Sequence, residues 1–147
     1  MTEHYFHLKA NWPGTRNDTG EIQAENLYTK VSIPKEMDGP GIGTNPDEML
    51  LGAAATCYII TLAAMMERSN ILKDQLYMDS TAIVDVTGGV FTYKKIIHRP
   101  TIELTNSKDM ALMDKLVIKA EQTCMISKAL RGNVEIELEP IILLANE

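Results

Sequence analysis

Eighteen consecutive residues, Met49 to Met66, carry no charge, and they lie between Asp47-Glu48 and Glu67-Arg68. No other feature constrains the chain as much. Such a run is a core helix or a membrane span, and it only just reaches the lower length limit of a span. Local signals set the start of the helix. Asn45 suits the N-cap, Pro46 the first helical position, and Glu48 follows the cap by three residues as in a capping box. Asp47 and Glu48 place carboxylates in the first turn, where the helix dipole favours them. Continued to Arg68, the helix is about 35 Å long and crosses the core of a small domain. Gly52, Thr56, Tyr58, Thr61 and five alanines make the run only weakly apolar. That composition favours a soluble core over lipid. The helix is apolar on every side, and two copies packed around it would cover it most simply.

The rest of the chain is expected to be mostly strands. His4–Asn11, Gly20–Leu27 and Tyr28–Ile33 alternate or are β-branched, and 12–20 between the first two is rich in turn residues. Two longer strands, Gln75–Thr87 and Val90–Leu104, flank Gly88-Gly89, a hairpin signal. Pro100 suggests a bulge or an edge in the second. Lys108–Gln122 reads as an amphipathic helix, with Met113, Leu116, Val117, Ala120 and Cys124 on one stripe. The helical pattern runs on past a bend to Arg131, with Gly132 as C-cap. Asn133–Leu144 completes the chain as a strand. The order βββ-α-ββ-α-β, grouped rather than alternating, predicts an α+β domain with mainly antiparallel sheet. The 147 residues correspond to a single domain, 1–147.

Several functions are excluded by composition. A net charge of −6 and 5% aromatic residues argue against nucleic acid and against an anionic membrane surface. No glycine-rich phosphate loop leads from a strand into a helix. His4 and His7 fall on opposite faces of a strand, so no metal site is expected, and no cofactor is implied. The N-terminus lacks a basic segment followed by an apolar one, which points to a cytoplasmic protein.

The two cysteines, Cys57 and Cys124, are too few to staple a fold and are not arranged as C-x-x-C. Each fits its helix as a small core residue. For Cys57 to react it must be a thiolate, which calls for a positive neighbour. Mid-helix, the dipole gives it little. Asp47 lies roughly 80° around and about 15 Å along the helix from Cys57, so an arginine from another segment could bridge the two.

The residues around both cysteines resemble a known family. Gly43-Thr-Asn-Pro-Asp47-Glu48 followed by Gly52-Ala-Ala-Ala-Thr-Cys57-Tyr58 is similar to the central helix of the OsmC/Ohr family, whose pattern is G-T-N-P-E and then A-A-C-F. Cys124-Met-Ile-Ser127-Lys-Ala-Leu-Arg131-Gly132-Asn133 resembles the family's C-P-x-S-x-A-x-R-G-N, with an ending nearer the Ohr branch. The likeness spans nearly the whole chain.

The resemblance implies an intertwined homodimer that reduces organic hydroperoxides at the expense of a dithiol, lipoyl-type or a small thiol. Cys57 would be the peroxidatic thiol and Cys124 the resolving one. Arg16, eighteen residues before Pro34, falls where the family carries the arginine that holds the thiolate. Asp47 falls on the glutamate that orients that arginine. Lys35 and Arg131 are the alternative cations. This chain departs from the pattern at Asp47 for glutamate, Met125 for proline, and Thr56 and Tyr58 beside Cys57. Two other readings stay open: a dimer that binds a small apolar or electrophilic ligand without turnover, and a partner-binding protein with two inert core cysteines.

Overall fold

The computed structural model describes residues 1–145. Contacts divide the chain into two units, Met1–Met49 and Leu50–Glu147.

The first unit is a three-stranded antiparallel sheet of β1 (Lys9–Asn11), β2 (Gly20–Gln23) and β3 (Tyr28–Val31), in that order. All three strands are shorter than their patterns suggest, pairing only over these residues. Past β3, a short 3-10 turn at Lys35–Met37 leads to a bridge between Val31 and Thr44. Gly43, at φ +70, has the Lys30 carbonyl oxygen only 2.2 Å from where a Cβ would stand. Only glycine fits there.

Helix α1 (Pro46–Arg68) begins as its punctuation indicates. The Glu48 N–H donates to Asn45 Oδ1 at 2.9 Å. The Glu48 carboxylate accepts from the Thr44 hydroxyl at 2.8 Å, where a capping box would have it bond the cap backbone. Ala54, Tyr58, Leu62, Met65 and Met66 are its buried residues. They recur at helical spacing, and burying each of the large ones stabilises the fold by about 1.5–3 kcal/mol. Gly52, Ala53, Thr56 and Ile60 are exposed. By length and hydropathy α1 also passes as a membrane span, yet it is the spine of the second unit's core.

That unit is built on a hairpin of two long strands, β4 (Lys73–Thr87) and β5 (Val90–Leu104). Gly88 and Gly89, at φ 58 and 78, make the turn. Both have the positive φ that a tight two-residue hairpin requires. The expected final strand is instead two, β6 (Glu135–Leu138) and β7 (Ile141–Leu144), both parallel to β5. Pro140 lies in the break between them. This break also explains Pro100. The proline stands in a central strand, opposite Met78, with no bulge beside it. β6 pairs with β5 only as far as His98, and β7 only from Thr101. Pro100 therefore sits in the gap, where its missing N–H costs least.

Helices α2 (Met110–Thr123) and α3 (Met125–Leu130) follow β5. The stripe of Met113, Leu116, Val117, Ala120 and Cys124 is buried, in one cluster with the α1 stripe and with Ile102 and Leu104 of β5. Helices thus cover one face of a mainly antiparallel sheet, an α+β architecture.

Candidate functional site

Cys57 is in the middle of α1, partly exposed and packed against the main core cluster. Cys124 has no solvent exposure. It stands alone between α2 and α3, at φ −58 and ψ 124. This is the extended conformation that a following proline would force, here adopted in front of Met125. The bend holds because the backbone bonds close around it. Cys124 N–H donates to the Ala120 carbonyl and Lys128 N–H to the Cys124 carbonyl, both at 2.9 Å.

The bend turns the start of α3 toward α1. The two thiols lie near enough for each to bear on the other's ionisation. Burial pushes the Cys57 thiol up, but neutral donors outweigh it. The Cys124 thiol and the N–H groups of Ile126 and Met125 leave it below an ordinary thiol. The Thr61 hydroxyl has one proton, and it is already donated to the Cys57 carbonyl oxygen at 2.7 Å. Cys124 is shifted the other way. Burial raises its thiol most, and the nearby Cys57 adds to this, against smaller lowering by the Ser127 hydroxyl and N–H. One sulfur is therefore partly open and disposed to ionise, while its neighbour is sealed and held neutral. Such an arrangement suits a nucleophilic thiol with a second thiol in reserve.

Tyr58 fixes α1 in place beside this pair. Its hydroxyl donates to the Val117 carbonyl of α2 at 2.8 Å. Its ring stacks on His98 of β5, with centroids 5.1 Å apart. Burial, then the charges of Glu121 and Cys124, keep its phenol protonated far above the usual range. His98 is fully buried and bonded to Ser80 Oγ through Nδ1 at 2.7 Å. Burial pulls its pKa down to about 4, so the ring is neutral at pH 7.

The other residues singled out from the sequence have the following places. The Arg16 guanidinium is held by carbonyl oxygens within the first unit, Met37 at 2.8 Å and Asp38 at 3.4 Å, and by Asn17 Oδ1 at 2.8 Å. Asp47 is partly exposed in the first turn of α1. Lys35 is exposed. Arg131 caps α3 and pairs with Glu121 at 2.6 Å across the bend. Sequence reasoning passed over Thr61, Glu121, Ser127 and the backbone of 125–126. Thr61, four residues after Cys57 on the same helix face, had a legible signal. The backbone donors had none, because any residue but proline supplies an N–H.

Comparison with known proteins follows the same lines. The family model for OsmC-like proteins matches residues 39–139. The chain is 65% identical over 150 aligned residues, covering 100% of both proteins, to the uncharacterised protein YmaD of Bacillus subtilis. It is 32% identical over 127 residues, 85% of this chain and 87% of the relative, to the organic hydroperoxide resistance protein of Xanthomonas axonopodis pv. citri. A crystal structure of an organic hydroperoxide resistance protein OsmC from Legionella pneumophila superposes with a TM-score of 0.79 at 24% identity, covering 96% of this chain and 99% of that one.

Proposed function

The chain belongs to the OsmC-like family, and from that premise we propose that it is a thiol peroxidase which reduces organic hydroperoxides with electrons from a dithiol. The observation that carries this reading is the pair of thiols beside one core cluster, Cys57 partly open and Cys124 sealed, with the first shifted down and the second up by their surroundings. A role in resistance to peroxides is also supported by relatives named for organic hydroperoxide resistance.

The Cys57 thiolate attacks the terminal peroxide oxygen. The O–O bond breaks, an alcohol leaves with a proton, and Cys57 becomes a sulfenic acid. The Cys124 sulfur then displaces hydroxide, which departs as water, and a disulfide forms. Because Cys124 lies near Cys57, this condensation can compete with further oxidation. A dithiol opens the disulfide and leaves oxidised. Arg16 is proposed as the cation that polarises the peroxide, and Asp47 as the carboxylate that orients it. The exposed part of α1, with Ile60 at 67% exposure, is proposed to be covered by a second copy in a homodimer, with the site of action in the cytoplasm.

A coupled assay with an alkyl hydroperoxide and a dithiol tests the reading. Turnover that is lost in Cys57→Ser, with a Cys57–Cys124 disulfide trapped after peroxide treatment, is the expected result. Stoichiometric loss of peroxide without a disulfide would instead mark a ligand-binding dimer.

A further inference from the structure

Three buried side-chain atoms lack a hydrogen-bond partner among the described residues, and one of them is Ser127 Oγ. Ser127 is fully buried. An unpartnered hydroxyl in a sealed position is uncommon and calls for an explanation. Its surroundings suggest one. Cys124 is the N-cap of α3, and Ser127 is the third residue after it. An N-cap side chain accepts from the N–H of this position, and both the Ser127 N–H and its hydroxyl are near enough to Cys124 to bear on its ionisation. With the thiol neutral, neither bond is fully formed. The cap carries no side-chain hydrogen bond, and the hydroxyl finds no well-aligned acceptor. Donors of this kind tighten only when charge develops on the acceptor.

Charge would develop on a departing Cys124 sulfur in the reductive step of the cycle proposed above, on which this inference rests. When a dithiol opens the disulfide, one cysteine sulfur joins the reductant and the other leaves as a thiolate. Access and acidity favour opposite outcomes. Cys57 is the better leaving group, since its thiol is lowered and that of Cys124 is raised. Expelling it would require attack on Cys124, which solvent does not reach. The open sulfur is Cys57, so the leaving sulfur must be Cys124.

We propose that Ser127 serves the reductive half of the cycle, donating its hydroxyl and N–H to Cys124 Sγ as that sulfur leaves. The reductant thiolate forms an S–S bond with Cys57 Sγ, and the Cys57–Cys124 bond breaks. Its electron pair goes to Cys124, where Ser127 stabilises the charge until a proton arrives. The second thiol of the reductant then attacks the reductant's own bonded sulfur, releases Cys57 as a thiolate and leaves as a cyclic disulfide.

The test uses the disulfide form made with diamide, so that it does not depend on peroxide activity. Reduction by dihydrolipoamide at pH 7 should slow about 10- to 100-fold in Ser127→Ala, the loss of one hydrogen bond to a charged atom. Ser127→Thr should recover much of the rate. Attack of Cys57 on an alkyl hydroperoxide, followed as loss of the first equivalent of peroxide in reduced Ser127→Ala, should stay within about twofold of the wild type, because Ser127 acts on Cys124 and not on Cys57. A variant that is reduced at the wild-type rate, or slowed equally in both halves, overturns the assignment. The unaltered protein offers a second measurement. Its disulfide, opened by excess 2-mercaptoethanol and quenched in acid, should carry the adduct on Cys57. An adduct on Cys124 overturns the assignment. Failure of peroxide alone to form the disulfide would count against the peroxidase reading and leave these results to stand separately.

Discussion

Cys57 and Cys124 belong to one core cluster, yet the regions that hold them are built in opposite ways. Cys57 lies in an unbroken helix of 23 residues, whose backbone N–H groups are all spent within the helix near it. Cys124 lies where a helix stops and another starts, beside N–H groups that no helix turn has claimed. The regular region carries the reactive sulfur, and the broken one supplies donors to it. A mid-helix cysteine gains little from its own dipole. It gains from a neighbouring helix that is interrupted at the right place.

The largest expected effect breaks the pair. Cys57→Ser should lower hydroperoxide turnover by on the order of 10³-fold or more. Cys124→Ser should still consume roughly one equivalent of peroxide before Cys57 overoxidises. Mass spectrometry after peroxide treatment would show the difference as a sulfinic or sulfonic acid on Cys57. Equal loss of the first equivalent in both variants would remove the distinction between the two regions.

A smaller effect comes from the bend. Cys124 already has the backbone conformation that a following proline requires, and Met125 is exposed at the first helical position, where proline is tolerated. Met125→Pro should therefore leave thermal stability nearly unchanged. It removes one donor to Cys57, so the thiol should rise, and alkylation of Cys57 at pH 7 should slow about 2- to 10-fold. A faster Cys57 would show that the bend, and not its N–H groups, matters.

The next effect concerns the base beneath the site. His98 is neutral and buried, with a folded pKa of about 4, below the unfolded value of about 6.5. Its contribution is intact above about pH 6.5 and is lost as pH falls toward 4, because the unfolded chain takes up the proton first. Urea unfolding should show stability falling by on the order of 3 kcal/mol across that window. His98→Phe, which keeps a ring against Tyr58, should flatten the slope. The smallest change is expected at Thr61. Its proton is held by the Cys57 carbonyl, so Thr61→Val should alter Cys57 reactivity by less than about twofold.

Periodic and punctuated elements were legible in the chain itself. The limits of α1, the glycine hairpin, the stripe ending at Cys124 and the bend after it follow from cap residues and helical spacing. The split of the last strand was not, because Pro140 reads as a minor interruption until Pro100 is found opposite the gap. At the site, the motifs around Cys57 and Cys124 marked the thiols. The donors around them are mostly backbone groups, invisible to residue type. Ser127 was visible in its motif but not in its burial, which depends on how α3 packs. Arg16 was reached by counting from Pro34, and the carbonyl cradle that holds it depends on the turn at Lys35–Met37.

Alkylation of the two cysteines followed side by side against pH tests the central claim most directly. Cys57 should react first, with a midpoint below the ordinary thiol value of about 8.5, while Cys124 resists until the chain unfolds. A Cys57 midpoint at or above that value, or equal labelling of both thiols in the native protein, would contradict it.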